Sequence, residues 1–513
     1  MNDLDTARQI LDSLPERFRA NRVHNWKAVF HFDFVGADAL KKTVSIGDGT
    51  CQIDEGWFQT ADCVVQISPE DYVKIETGSL NPQMALLSGR LKVSDLESMI
   101  KFSRAFYPWR HPQSPSEQDS KGPVRSRSSG PLNGVRILDF SRLLPGPLAS
   151  QMLAEMGAEV WKIEHPDRPD YVREYPPMLE GGSAFYHALN RSKHSLVVPY
   201  DEQEFQEVIH RLVKEADVLV EQFRPGAMKR WGLDFESLKK LNPRLVYVSL
   251  TGYGQHGPYH DRAGHDLNYL ALSGILSVNR DQTGRPVIPG IQLADVGAGA
   301  YQVVNLALAG LYAAEKTGIG GWMDANMLQG LLPMLSLTYT SAYFSHSEQQ
   351  PDGKGLLSGA VPNYQVYETA DGKWMALGAL ELKFWKAFCE SVGHEEWVEG
   401  IVPERGQAMG LQAQMVRLFK TKPQSEWTTL GKTHDICLTP VLEIGDLAHD
   451  GHIADQGWMI GPDIQTPGSW NGYPFQARWK APTWNEDSRH VLESLGVDQE
   501  VIDACLQRAF RNR

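Results

Sequence analysis

The stretch Val135-Arg136-Ile137-Leu138-Asp139-Phe140-Ser141-Arg142-Leu143-Leu144-Pro145-Gly146-Pro147 decides the architecture of most of this 513-residue chain. Val135 to Phe140 reads as a short buried strand, and Pro-Gly-Pro opens a helix from Pro145 to Met156, because proline lacks the N–H that a first helical turn leaves unused. Glu159 to Ile163 is the next strand and ends on Glu164. Strand, helix and strand in this order form a right-handed βαβ unit with parallel strands. Further strands are expected at Ser195 to Val198, Val218 to Glu221 and Val246 to Leu250, with helices between them, so the fold class is α/β with a parallel sheet. The first turn, Ser141 to Pro147, is not GxGxxG, and NAD is therefore disfavoured despite the acidic end of the second strand.

Working outward, helices are expected from Asp295 to Lys316 and from Met323 to Phe344. Strands Tyr364 to Tyr367 and Trp374 to Leu377 flank the turn Ala370-Asp371-Gly372-Lys373 as a hairpin, which suggests a smaller mixed domain. On the other side, the stretch between Trp109 and Pro131 is rich in Ser, Arg, Gly and Pro and nearly free of apolar residues, so it reads as a flexible linker. Ahead of it, Trp26, Ala28, Phe30, Phe32 and Phe34 alternate, followed by Val44 and Ile46, then Cys63, Val65 and Ile67. Period-two alternation is the mark of half-buried antiparallel strands, here framed by helices from Thr6 to Ala20 and Leu96 to Phe106.

Composition limits the function. Hydrophobic content of 42% and charged content of 22% are those of a globular protein. A net charge of −13 argues against nucleic acid or an anionic membrane as the main partner. Cys51, Cys63, Cys389, Cys437 and Cys505 show neither CxxC spacing nor a nearby histidine cluster, so neither zinc nor a disulfide framework is supported. A cytoplasmic location follows, with no basic-then-apolar leader and no run of about twenty apolar residues to span a bilayer.

Two short runs carry chemistry. Gly264-His265-Asp266 precedes Leu267, Leu270, Ala271 and Ile275, which keep helical spacing and set His265 at the positive end of a helix. That end favours neutral imidazole and offers free N–H groups to a developing oxyanion. Asp295, in Gln292-Leu293-Ala294-Asp295-Val296-Gly297-Ala298-Gly299, opens another helix whose first turn is nearly bare, as though a bulky substrate could approach it. Taken singly, Asp295 reads as a plain N-cap, Asp266 as a cap or a catalytic helper, and His265 as a surface or satisfied residue. Taken together they supply two titratable groups, the equipment needed to take a proton from one face of a carbon and return it to the other.

The N-terminal order, with Gly78-Ser79-Leu80-Asn81-Pro82-Gln83-Met84-Ala85-Leu86-Leu87-Ser88-Gly89 after the strands, resembles the sterol-carrier-protein domain, a small α+β fold, over roughly residues 5 to 108. That resemblance implies a lipid or acyl ligand. Beyond the linker stand Leu138-Asp139-Phe140-Ser141-Arg142, Met156-Gly157-Ala158-Glu159-Val160, Asn190-Arg191-Ser192-Lys193, Phe223-Arg224-Pro225-Gly226, Gly252-Tyr253-Gly254-Gln255 and Gly264-His265-Asp266. These resemble the class III CoA-transferase family. His265, with Glu381 in Ala379-Leu380-Glu381-Leu382-Lys383-Phe384 and the run Asp435-Ile436-Cys437-Leu438-Thr439-Pro440-Val441, is similar to its α-methylacyl-CoA racemase branch.

The resemblance implies a lipid-carrier-like domain (1–108), a linker (109–131), a Rossmann-like large domain (132–335 and 450–513) and a small domain (336–449), in an interlocked homodimer. It implies racemisation of 2-methylacyl-CoA thioesters on long branched or sterol-derived chains, with His265 and Asp295 as proton carriers and Asp266 assisting. Glu381 would pair with His265. Arg142, Arg191, Lys193 and Arg224 would receive the phosphates of the CoA substrate, and His165 stands where the family often has a basic residue. No metal or redox cofactor is implied, because the thioester itself acidifies the α-carbon. The rival readings are a CoA-transferase in which Asp295 attacks the thioester and forms a mixed anhydride, and a non-catalytic acyl-CoA or lipid-binding protein.

Overall fold

The computed structural model describes residues 3–18, 26–36, 40–76, 80, 85–86, 88–95, 98–99, 101–102, 105–106, 130–179, 182–281, 283–344, 355–401 and 405–510. The chain divides into two compact units, Met1–Val124 and Arg125–Arg513. The linker expected over 109–131 lies, apart from its last two residues, outside the described residues, as does most of the Gly78 to Leu87 run.

The first unit is a mixed five-stranded sheet. Its strands are β1 (Ala28–Phe34), β2 (Lys41–Gly47), β3 (Thr50–Glu55), β4 (Cys63–Ile67) and β5 (Leu91–Val93), in the order β3-β2-β1-β4-β5. The alternating residues face one side, where Phe30, Phe32 and Phe34 meet Tyr72 and Phe102. Helices α1 (Asp3–Asp12) and α2 (Pro69–Glu76) cover that side. Two expectations are corrected. β1 and β4 run parallel, not antiparallel, which alternation cannot reveal because burial has period two in either direction. The helix expected from Thr6 to Ala20 stops at Asp12 and resumes only as the single turn Leu14–Arg17, since Pro15 cannot donate to the preceding turn.

In the second unit six strands form an all-parallel sheet: β6 (Arg136–Phe140), β7 (Glu159–Glu164), β8 (Lys193–Val197), β9 (Val218–Glu221), β10 (Val246–Thr251) and β11 (Gly321–Asn326). Their order, β8-β7-β6-β9-β10-β11, is the doubly wound one, so chain direction across the sheet reverses between β6 and β9. Ile137, Val160, Val218, Val246 and Val248 point to one core, under α3 (Pro145–Glu155), while Leu138, Phe140, Trp161, Leu219 and Tyr247 point to the other. Both faces are thus covered, as a parallel sheet requires.

α4 (Asp266–Ser273) follows β10, and α5 runs from Leu293 to Thr317 as a wide-turned segment to Ala300 and an α-helix from Tyr301. α5 has the length and apolar composition of a membrane span, yet it serves as a core helix, burying Val303, Val304, Ala307, Gly310 and Ala314. Gly310 lets it sit on β10: a Cβ there would lie 2.4 Å from Val246 Cγ1.

The helix expected from Met323 to Phe344 is corrected. Met323 lies in edge strand β11, whose Asp324 and Asn326 conceal its strand character, and helical structure begins only at α6 (Met327–Leu331). After Pro333 it continues as α7 (Ser336–Phe344). The expected hairpin is present as β12 (Tyr364–Glu368) and β13 (Trp374–Gly378), joined by β14 (Leu438–Pro440) and packed by α8 (Leu382–Val392). The chain then returns to the large sheet. Trp479 Nε1 donates to the Lys193 carbonyl, Asp487 Oδ2 accepts from the Ser195 N–H and Ser488 Oγ accepts from that of Val197, which seals the outer edge of β8.

Candidate active site

His265 is the N-cap of α4, in extended conformation (φ −128°, ψ 174°), and Asn268 Oδ1 accepts from its N–H at 3.0 Å. The approach to it is tightly built. The Tyr269 hydroxyl donates to the Gly264 carbonyl at 2.7 Å, and a Cβ on Gly264 would stand 2.6 Å from the Tyr253 hydroxyl oxygen and 2.8 Å from the Tyr269 ring. Only glycine fits between those two rings.

Asp266 ties α4 to α5. Its Oδ1 accepts from the N–H groups of Ala294 (2.7 Å) and Asp295 (3.1 Å), so it meets two of the donors that the start of α5 leaves unsatisfied. Asp295 is thus the third residue of α5's opening segment and not its cap. Leu293–Ala300 is a π-helical stretch, a wide turn often found at functional sites. Asp295 is half-buried. Burial and the like charge of Asp266 raise its carboxyl to about 6, while His265 pulls the other way. His265, Asp266 and Asp295 therefore come together from two helix starts, with His265 exposed to solvent.

A carboxyl held near 6 and an imidazole can share one proton across a substrate carbon. Activity through this pair needs one member charged as base and the other protonated as acid. Below about pH 6 Asp295 takes a proton and the base is lost. We expect the acid limb of kcat/KM near pH 6, not near 4. In Asp266→Asn, which keeps an acceptor for the two N–H groups but removes the charge, the limb should move down in pH. An unmoved limb would detach Asp266 from the tuning of Asp295.

The bare turn after Asp295 has a different use from the one its sequence suggests. A Cβ on Gly299 would meet Pro145 at 3.1 Å and Met327 at 3.2 Å, and one on Gly297 would meet Met334 at 3.0 Å. The glycines let α3 and α6 approach α5 closely, and Met327 is core.

The other sequence-predicted residues divide. Arg142, just past β6, and Arg224, just past β9, flank the reversal point, where open α/β sheets receive ligands beyond the carboxyl ends of their strands. Arg142 is half-buried over the Phe223 ring at 5.5 Å, and Arg224 is exposed. Arg191 and Lys193 are committed elsewhere. Arg191 is buried, with Nε on Glu155 at 3.2 Å, Nη1 on Asp463 at 2.9 Å and Nη2 on the Ile464 carbonyl. Lys193 spends its three protons on Asp139, Asn190 and the Pro147 carbonyl. Both are internal braces, which removes them from the groups that can meet a phosphate. Glu381 is exposed as the N-cap of α8, sharing the surroundings of Cys437 with Asp435 and Lys383. Among the described residues no hydrogen bond or ion pair joins it to His265.

Sequence reasoning missed a buried charge network beneath the Arg142 turn. Asp139 Oδ1 accepts from the Ser141 N–H, Lys162 Nζ donates to the Ser141 carbonyl and pairs with Asp170, and Asp170 accepts from the Leu143 N–H, where the chain turns through φ +65°. The signal was available as charges inside otherwise apolar strands: Asp139 in β6, Lys162 in β7. Also unforeseen is the cluster of Tyr200, Phe223 and Trp231, with Arg168 over the last at 5.6 Å. His165 tucks against Tyr200 and bonds Asp201 at 2.7 Å. His165, Asp201 and Glu202 have the spacing of metal ligands, but Arg168 and Arg508 already neutralise the two carboxylates.

Comparison with known proteins agrees with this arrangement. Residues 132–488 match the model of CoA-transferase family III, and residues 8–106 that of the SCP-2 sterol transfer family. The chain is 31% identical over 389 residues to human alpha-methylacyl-CoA racemase, covering 72% of this chain and 95% of the relative. It is 34% identical over 395 residues to human succinyl-CoA:glutarate CoA-transferase, covering 73% and 89%. The crystal structure of a CAIB/BAIF family protein from Brucella suis superposes with a TM-score of 0.62 at 27% identity, covering 71% of this chain and 99% of that one. A doubly wound sheet, paired helix starts bearing His265 and Asp295, and these matches lead to one conclusion: the chain belongs to CoA-transferase family III and carries an SCP-2 sterol transfer domain ahead of it.

Proposed function

We propose that this protein is an α-methylacyl-CoA racemase acting on long branched or sterol-derived 2-methylacyl-CoA thioesters in lipid degradation. The observation that carries the reading is the joining of two helix starts, one capped by His265 and the other bearing Asp295, through Asp266 Oδ1 on the Ala294 and Asp295 N–H groups, an arrangement in which burial and Asp266 raise the Asp295 carboxyl to about 6. Such a group exchanges protons at neutrality, whereas a nucleophile gains from being fully ionised. For one epimer the Asp295 carboxylate removes the α-proton, the electron pair moves into the thioester carbonyl as an enolate, and the His265 imidazolium returns a proton to the opposite face. For the other epimer the roles reverse. Arg142 and Arg224 receive the CoA phosphates, and no metal or redox group enters the scheme. The SCP-2 domain holds or delivers the acyl substrate, and the enzyme works in the cytoplasm.

A homodimer belongs to this reading. On α7, Leu337, Tyr339, Tyr343 and Phe344 stand 72%, 68%, 65% and 69% exposed, an apolar surface of the kind that a second copy covers.

The test is incubation of single epimers of 2-methylacyl-CoA in heavy water with no second acid present. Deuterium at the α-carbon and loss of optical activity are expected. The second reading, a CoA-transferase with Asp295 as nucleophile, draws on the 34% identity to the succinyl-CoA:glutarate enzyme. Absence of exchange together with acceptor-dependent CoA movement would establish it instead.

A further inference from the structure

Two tyrosines stand over Gly264, and they are used differently. The Tyr269 hydroxyl is spent on the Gly264 carbonyl at 2.7 Å. A Cβ on Gly252 would lie 2.3 Å from that same hydroxyl oxygen, so Tyr269 is locked from both sides. Tyr253 packs edge-on against it, with ring centroids 5.1 Å apart, and leans on Tyr259 at 5.9 Å. Its hydroxyl oxygen points at the backbone of Gly264, 2.6 Å from where a Cβ would be, and donates to no protein group among the described residues. The ring is fixed by its neighbours while its one polar atom is left over. That atom lies beside the peptide leading into His265, in the neighbourhood where Asp266 and Asp295 also act on Tyr269.

A reaction that removes a proton next to a thioester places negative charge on the carbonyl oxygen, and a preorganised donor aimed at that oxygen lowers the barrier. Resting on the reading above, we propose that Tyr253 is a further catalytic residue, whose hydroxyl donates a hydrogen bond to the substrate thioester oxygen and strengthens it as the enolate forms. The phenol keeps its proton throughout. The C–H bond breaks toward Asp295 or His265, the electron pair settles on the oxygen, and the Tyr253 O–H···O contact shortens without transfer. The same hydroxyl gives the substrate oxygen one direction to face, which fixes the α-carbon between the two proton carriers.

Tyr253→Phe removes one oxygen and keeps the ring packed on Tyr269 and Tyr259. In the full chain, α-deuterium exchange should show kcat lower by about 10²-fold with KM within about twofold and an unchanged melting temperature. Tyr269→Phe, which loosens the Gly264 peptide, should lower the melting temperature as well. A second readout needs no turnover. The infrared stretch of 2-methylacyl-CoA labelled with ¹³C at the carbonyl should fall to lower frequency on binding the wild type and return toward its free value in Tyr253→Phe. Equal kcat in folded Tyr253→Phe, or a carbonyl band that does not differ between the two proteins, overturns the proposal. If the wild type exchanges no deuterium but transfers CoA, the racemase reading fails by itself, and the infrared comparison still decides whether Tyr253 touches the oxygen.

Discussion

Asp295→Asn is expected to lower α-proton exchange by roughly 10² to 10⁴-fold, because the amide can neither accept the proton nor return it. The substitution is nearly isosteric and removes a carboxyl whose ionisation burial opposes, so the fold should gain, not lose, stability at neutral pH. The sign follows from the raised value. A carboxyl shifted up to about 6 favours the folded state while it is protonated, and that contribution fades as pH rises through about 6. Asparagine does not titrate, so the melting temperature of the variant should exceed that of the wild type at pH 8 and converge with it near pH 4. Isothermal titration with a thioester, or with CoA itself, should give a dissociation constant within a few-fold of the wild type. Unaltered exchange in a well-folded Asp295→Asn protein would remove Asp295 from the proton carriers.

Asp139→Ala should produce the largest loss of stability, about 3–5 kcal/mol, read as a lower urea midpoint for the second unit. Asp139 is fully buried at the end of β6 and holds Lys193 at 3.0 Å, the Ser141 N–H at 2.9 Å and the Ser150 hydroxyl at 2.5 Å. Burial drives its carboxyl up, and Lys193, Lys162 and the two serines overcome that and hold it at about 2. Its stabilisation is therefore present above the ordinary carboxylate range and is lost as pH falls toward 2. Truncation strands Lys193, which burial already pushes down to about 8, and frees the turn that carries Arg142. A midpoint within about 1 kcal/mol of wild type would show that water or a neighbour replaces the carboxylate without cost.

The sheet of the second unit was readable because its strands are unbroken apolar runs separated by helix-length segments, and that pattern admits few topologies. What escaped was whatever depends on a neighbour distant in sequence. The polar edge sequence of β11 reads as helix at Met323, and only the parallel partner β10 makes it a strand. The glycines after Asp295 looked like room for substrate, but a bare turn also suits packing, and Pro145 and Met327 claim Gly299. The site was legible in part for the same reason. His265, Asp266 and Asp295 each sit at a helix start that the local sequence announces. Charge alone could not separate Arg142, which faces the crevice region, from Arg191 and Lys193, whose partners Glu155, Asp463 and Asp139 lie up to 272 residues away.

The sealing of β8 by residues near 479–488 has a consequence for synthesis. An unpaired strand at a sheet margin is a template for other chains, and here its cover is made about 290 residues after the strand itself. On the ribosome the nascent second unit therefore carries a sticky border until almost all of it has been translated, while the SCP-2 unit can collapse much earlier. Ribosome-bound fragments stalled before Trp479 should be captured by holdase chaperones, and fragments released after Ser488 should not.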